Sequence, residues 1–143
     1  MRHALIALAL LTGCGASALQ TNARAAIVAG ETLGSTREVL VTHLRSALQE
    51  CQTMECVESV AQSHTAALAG YETARAALAA WVESISLANA ADSEGGAGLS
   101  QVLDAARAFI AAYAEMATAY QGAGIDLPSL PPVVSALGGT SGS

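Results

Sequence analysis

The stretch Glu50-Cys51-Gln52-Thr53-Met54-Glu55-Cys56 decides the fold, because here a long apolar pattern either continues in one helix or turns back. Neither Gly nor Pro interrupts it, so helix propensity alone would allow one helix of about 70 residues, far beyond the usual length of about 10–14. Thr53 can cap a new helix, and Glu55 would then lie near the positive end of its dipole. We therefore predict a hairpin of two antiparallel helices that turns at this stretch.

Cys51 and Cys56 support the turn. In a continuous helix, residues five apart point about 140° away from each other, and their Cα atoms lie too far apart for a disulfide. Such a pair is expected to oxidise in an exported protein, and the bond would then require the chain to turn. We predict a structural disulfide that contributes about 2 kcal/mol. Free thiols and a metal or redox site are the alternatives.

Apolar or small residues recur at alternating spacings of three and four along the chain, which is the period of a helix face. The pattern predicts helices over about 16–50, 53–90 and 99–121, with a glycine-rich polar loop over 92–98. The aromatic residues Tyr71, Trp81, Tyr113 and Tyr120 are expected in the core rather than in a ligand cage. The expected inward face of the first helix comprises Leu19, Ala23, Ile27, Gly30, Leu33, Leu40, Leu44 and Leu48, and Arg37 interrupts it. That of the second helix includes Val57, Val60, His64, Leu68, Tyr71, Leu78, Trp81 and Ile85.

The last segment differs in composition, because all three prolines of the chain lie in it. Gly122 and Gly124 are expected to end the third helix. The residues that follow must be extended, since proline disfavours helical geometry in the residue before it. We expect Pro131 or Pro132 to start a short helical turn and residues 138–143 to be disordered. The apolar residues of this tail are expected to lie across the bundle: Leu127, Leu130, Val133, Val134 and Leu137.

Composition places the chain in the all-α class, as a single helical domain over 14–137. The sequence is 52% hydrophobic but only 3% aromatic. Alanine supplies roughly a quarter of all residues, far above average usage, and it is the best helix former. This composition predicts helices packed closely through small side chains. The net charge is −6 and no Lys is present, so a basic surface for nucleic acid is excluded.

The first residues form an export signal. Met1-Arg2-His3 is followed by the apolar run 4–11 and then by Leu11-Thr12-Gly13-Cys14. A positive start, an apolar run and a small-residue cleavage site are typical of a secretory signal peptide. All four final positions match the lipobox Leu-small-small-Cys, so the segment resembles the signal of bacterial lipoproteins. A plain signal peptide and a short buried helix are the alternatives.

The resemblance implies that Cys14 is the lipidation site. The cysteine thiol would receive a diacylglycerol, residues 1–13 would be removed, and the new amino terminus would be acylated. Several acyl chains make membrane residence practically permanent. The residue after the cysteine is Gly15 rather than Asp, which favours the outer membrane with the body in the periplasm. In a Gram-positive host the protein would instead lie on the outer face of the cell membrane. Residues after Cys14 are expected to act as a tether.

Residue types that carry chemistry are few. His43 and His64 lie eight residues before and after the cysteine pair, so a hairpin places them at one level on neighbouring helices. They would be about 12 Å from the cysteines, too far for one four-ligand site. We expect a hydrogen-bonded or surface role rather than a metal site. Because catalytic motifs are also absent from the sequence, we expect neither an enzyme nor a cofactor.

The sequence thus predicts an anchored lipoprotein that acts as a non-enzymatic structural or protein-interaction module, with an unidentified envelope protein as partner. Small size, an early lipobox and a late Leu-Pro-rich segment also resemble the outer-membrane lipoproteins of phage lysis systems, the spanins. Those are usually shorter and richer in proline. The rival hypothesis is a small-molecule or lipid carrier with an apolar groove between the helices.

Overall fold

The computed structural model describes residues 14–91 and 97–138. Four helices form this part of the chain: α1 is Cys14–Glu50, α2 is Met54–Ala90, α3 is Ala97–Gly122 and α4 is Pro132–Ser135. The all-α prediction of a long hairpin, a third packed helix and a proline-containing tail is confirmed. The predicted signal segment 1–13, most of the predicted loop and the final residues 139–143 lie outside the described residues.

The hairpin turns where the cysteine spacing requires it. Cys51 is bonded to Cys56, with the two Cα atoms 5.5 Å apart. Thr53 is the N-cap of α2, and its Oγ1 accepts a hydrogen bond of 3.2 Å from the backbone N–H of Cys56. Because this bond satisfies one of the free N–H groups of the first turn, α2 begins here as a new helix. Both the turn and the disulfide are therefore confirmed.

Small residues let α2 and α3 approach each other closely. A Cβ atom added to Gly70 of α2 would lie only 3.1 Å from the Cα atom of Met116 on α3. Ala67 and Ala74, one turn to either side of Gly70, are fully buried. The α2–α3 contact is the most extensive one between elements, and α1 packs mainly on α2. Close packing through alanine and glycine, as the composition predicts, is confirmed.

The inward face of α1 differs from the expected one. Ile27 and Leu48 were expected to face inward but are exposed, as is Leu68 of α2. These three assignments are wrong because small residues, rather than large ones, occupy the positions where the helices come closest. Arg37, which was expected to interrupt this face, is exposed as well. The buried residues of α1 are Asn22, Ala25, Ala26, Ala29, Leu33, Thr36 and Leu40.

The tail returns along the bundle through a glycine-dependent helix end. Gly124 has a φ of +83°, and the N–H of Ile125 donates to the carbonyl of Tyr120 at 2.9 Å. This is the Schellman arrangement, in which the left-handed residue is normally glycine. Ile125 and Val134 are buried, and α4 contacts both α1 and α3. The tail is thus docked, as predicted.

Two boundary predictions need correction. Gly138 belongs to an ordered turn, because its N–H donates to the carbonyl of Ser135 and its Cα lies close to Ile110. Helix α1 already begins at Cys14, so the residues expected to form a tether extend the helix. None of the described helices is both long and apolar enough to span a membrane.

Candidate functional site

The predicted site residues lie at opposite ends of the hairpin. Cys14 is the first residue of α1, and Cys51 directly follows the last one. At 1.5 Å per residue, a helix of this length separates them by roughly 55 Å. Cys14, the predicted lipidation site, is therefore too far from the disulfide for the two to form one site. A polar contact between side chains of α1 and α2 lies nearer to the disulfide.

That contact is a pair of histidines. His43 Nδ1 lies 3.1 Å from His64 Nε2, and the two rings are stacked with centroids 5.3 Å apart. The hairpin register brings them together, as the equal spacing from the cysteines predicts. His64 is buried, and Gly124 lies close to the ring of His43. The predicted hydrogen-bonded role is confirmed.

The hydrogen-bond partners fix the protons of this pair. His64 Nδ1 lies 2.8 Å from the carbonyl oxygen of Val60, which can only accept. His64 therefore carries a proton on Nδ1, and its Nε2 accepts from the Nδ1–H of His43.

The same assignment bears on catalysis. Ser63 lies 3.4 Å from His64 Nδ1, but its hydroxyl donates to the Val60 carbonyl at 3.0 Å. Because His64 Nδ1 already holds a proton, it cannot take one from the serine, and the two residues do not form a nucleophile and base. Within residues 14–91 and 97–138, no group of three or more His, Cys, Asp or Glu could hold a metal ion.

An open apolar groove runs beside the histidine pair along the α1–α2 seam. It has a volume of about 270 Å³. Leu68 forms part of its wall and points about 160° away from Gly70, the point of contact with α3, so the groove lies on the side of the hairpin opposite α3. The lining residues are Leu40, Val41, Leu44 and Leu48 of α1 and Ala61, His64, Thr65 and Leu68 of α2.

A second polar contact is buried in the core at the other end of the hairpin. The indole N–H of Trp81 donates to Asn22 Oδ1 at 3.2 Å, and Asn22 Nδ2 donates to the carbonyl of Ala18 at 3.0 Å. Trp81 also stacks on Phe109 of α3, with ring centroids 5.8 Å apart. The predicted core role of the aromatic residues is confirmed. Asn22 is absent from the sequence prediction, since no local signal shows that a polar residue pairs with a tryptophan 59 residues away.

Two tyrosines of α3 link the helix to the rest of the bundle. Tyr120 donates to the carbonyl of Thr36 at 3.2 Å, and Tyr113 donates to the carbonyl of Pro128 at 2.8 Å. Burial raises the pKa of Tyr113, and the charge of Tyr120 raises it further. Burial also raises the pKa of Tyr120; the side chain of Thr36, as distinct from its carbonyl, opposes this effect, and Tyr71 reinforces it. Both hydroxyls therefore stay neutral donors at physiological pH.

Comparisons with known proteins assign no family or activity. No family model, no curated protein and no solved structure matches this chain. The features that bear on function are therefore the disulfide, the histidine pair, the groove and the first fourteen residues.

Proposed function

We propose that this chain is an exported lipoprotein, anchored through Cys14, whose helical body is a non-enzymatic module for structural or protein–protein contacts. The observation that carries the proposal is the use of the cysteines. Of the three in the chain, Cys51 and Cys56 are bonded to each other. Disulfides persist outside the reducing cytosol, which agrees with export. The remaining cysteine lies at the position that the lipobox modifies.

The placement of Cys14 also suits an anchor. It begins a helix of 37 residues, and the groove residues Leu40–Leu48 follow after 26 to 34 residues of the same helix. At 1.5 Å per residue, the groove lies roughly 40–50 Å from the lipidation site. A lipid on Cys14 would hold the protein at the outer membrane, facing the periplasm, or at the outer face of a Gram-positive cell membrane. The groove would be accessible well away from the bilayer.

The proposal predicts that Cys14→Ser abolishes lipidation. In cells fed a palmitate analogue, the unchanged chain should be labelled and found in the membrane fraction. The Cys14→Ser chain should be unlabelled and released. The matched control is the double variant Cys51→Ser with Cys56→Ser, which removes two thiols but should remain labelled. Label on the Cys14→Ser chain would refute the lipoprotein assignment.

The groove supports a second candidate function, the carriage of a small apolar molecule or lipid. Its volume of about 270 Å³ lies just below the range of about 300–1,000 Å³ of ligand pockets, and its walls are almost entirely apolar. Native mass spectrometry of the purified chain distinguishes the two functions. A retained lipid or pigment of constant mass supports the carrier. Adjacent endolysin and holin genes would instead support the phage-lysis version of the interaction module.

A further inference from the structure

Exposed apolar side chains are concentrated on one face of the hairpin. Nine large apolar side chains are exposed in the described part of the chain, and six of them repeat at multiples of seven residues within their helix. Such a repeat keeps residues on one side of a helix and is typical of a helix–helix interface. We call this surface the heptad face. Its six large members are Ile27, Val41 and Leu48 of α1 and Met54, Leu68 and Val82 of α2.

The two rows of the heptad face are level with each other. The contacts of His43 with His64 and of Gly30 with Leu78 set the antiparallel register of α1 and α2. In this register, moving seven residues forward along α1 reaches the same height as moving seven residues backward along α2. The pairs Ile27 with Val82, Val41 with Leu68 and Leu48 with Ala61 therefore lie at the same height to within about two residues. The face is an apolar strip that includes the groove and is interrupted near its middle.

Each row of the heptad face is interrupted near its middle, and the two interruptions lie at the same height. The row of α1 is interrupted by Gly34, which has no side chain, and the row of α2 by Arg75, which has a long cationic one. Nothing lies within 4 Å of a Cβ atom placed on Gly34. Glu31 and Glu38 lie one turn to either side of this notch on the same face of α1. Arg75 is largely exposed, and its guanidinium contacts Glu72 of its own helix at 3.6 Å. The Arg75 guanidinium of another copy would fit over Gly34, between the carboxylates of Glu31 and Glu38.

We propose that the heptad face binds a second copy of this chain. Helix α1 of each copy packs antiparallel on α2 of the other, around a twofold axis parallel to the helices. Rotation about this axis does not change the height of a residue along the helices. The apolar rows of the two copies therefore pack against each other, and Arg75 of the second copy contacts the notch at Gly34. The interface is isologous and closed, and the four helices form an antiparallel bundle.

Segments of this sequence outside the described residues do not explain the heptad face. Residues 92–96 and 139–143 contain no large apolar side chain. Residues 1–13 join the chain at Cys14, roughly 20 Å along α1 from Ile27, 40 Å from Val41 and 50 Å from Leu48, and thirteen extended residues span about 45 Å. They could reach the Ile27 end of the face but could not cover Val41 and Leu48, so they do not account for the whole face. A second copy supplies both the apolar rows and the matching charge.

The dimer deepens the proposed function by naming the partner of the interaction module. It rests on that function in one respect, since the twofold axis places both Cys14 residues at the same end, where two lipids can enter one membrane. Failure of the two proposals is distinguishable, because the labelling of Cys14 does not depend on the heptad face.

Photocrosslinking of the full chain in mild detergent tests the contact. Benzoylphenylalanine at Val41 should give a covalent product of twice the chain mass. The same group at the exposed Glu115 of α3 should give none. A product with a protein of another mass, a lipid adduct alone or no product from Val41 would overturn the dimer.

A charge exchange tests the geometry. Arg75→Glu should weaken dimerisation at least about tenfold in sedimentation velocity, and so should Glu31→Arg combined with Glu38→Arg. The triple variant Arg75→Glu, Glu31→Arg and Glu38→Arg should restore most of the affinity. A variant that had merely lost its fold would not regain affinity in this way. Glu115→Arg is the matched control and should leave the dimer unchanged. An unaltered dissociation constant for Arg75→Glu, or no rescue by the triple variant, would overturn the proposal.

Discussion

Asn22 is a buried polar residue whose role depends on a partner far away in the sequence. Its amide oxygen accepts the indole N–H of Trp81, and its amide nitrogen donates one turn back along α1. A buried N–H without an acceptor costs about 1–3 kcal/mol, whereas a satisfied one adds only about 1 kcal/mol. The pair therefore fixes the register of α1 on α2 more than it adds stability.

We predict that Asn22→Ala lowers the free energy of unfolding by about 2–3 kcal/mol, because it leaves the Trp81 N–H buried without an acceptor. Trp81→Phe should also destabilise the protein, since it removes buried aromatic area. The double variant should be less destabilised than the two single losses added together, with a coupling of about 1 kcal/mol. Urea unfolding monitored by circular dichroism measures all three. Strict additivity would show that the hydrogen bond is energetically irrelevant.

Gly34 and Gly70 offer a matched comparison of two helical glycines. In the isolated monomer, Gly34→Ala should raise the free energy of unfolding by up to about 1 kcal/mol, because alanine favours the helix and the added Cβ atom meets nothing within 4 Å in the same chain. Gly70→Ala should lose most or all of this gain, because its Cβ atom would lie 3.1 Å from the backbone of Met116. Gly70→Val should destabilise the protein by about 1–3 kcal/mol through overpacking. Equal effects of alanine at both positions would contradict the close α2–α3 approach.

At the level of elements, the tail after Gly124 packs against both α1 and α3. Ile125 and Val134 are buried, and Leu127, Leu130 and Leu137 are partly buried against the core. Pro128 contributes its carbonyl oxygen to the hydroxyl of Tyr113. The tail therefore adds apolar burial and a hydrogen bond without adding a long helix of its own.

Truncation after Gly124 should lower the thermal midpoint by several degrees or more while leaving the helix content nearly unchanged. The physical reason is that burial of one large apolar side chain contributes about 1.5–3 kcal/mol at most. Losing even part of this contribution for several tail residues is a large share of the typical free energy of unfolding of about 5–15 kcal/mol. Circular dichroism gives both the midpoint and the helix content. An unchanged midpoint would mean that the tail is not docked in solution.

On the scale of the whole molecule, α2 is the central element. Helix α3 and helix α1 each pack on it, while the tail fills the space between them. Tyr113 and Tyr120 hold this assembly together through neutral hydroxyls, so these two residues make its stability depend on pH in the alkaline range. The native chain keeps the phenolic protons above pH 10, where an unfolded chain has lost them. This difference favours unfolding as the pH rises.

We predict that the free energy of unfolding stays constant from pH 8 up to about 10 and then falls as the pH approaches the raised pKa values of these tyrosines. The double variant Tyr113→Phe with Tyr120→Phe should start from a lower stability but fall less steeply. Urea unfolding at fixed pH steps, with Cys14 alkylated to prevent thiol exchange, measures both curves. Identical slopes for the two proteins would assign the alkaline loss to other groups.

The sequence by itself determined the features that depend on neighbours along the chain. The helix periods, the cap at Thr53, the turn required by Cys51 and Cys56 and the helix end at Gly124 all follow from residues within a few positions of each other. The equal level of the two histidines also follows, because the hairpin register depends only on their spacing from the turn. The lipidation of Cys14 stays a prediction, since it rests on a motif alone.

Only the tertiary structure decided which face of each helix is buried. Periodicity favours the face with the largest apolar residues, yet Ile27 and Leu68 point outward, and alanines fill the contacts. The distance between two helix axes depends on side chains from both helices, such as Gly70 and Met116. The pairing of Asn22 with Trp81 and the apolar groove likewise arise from residues distant in sequence, which no local pattern records.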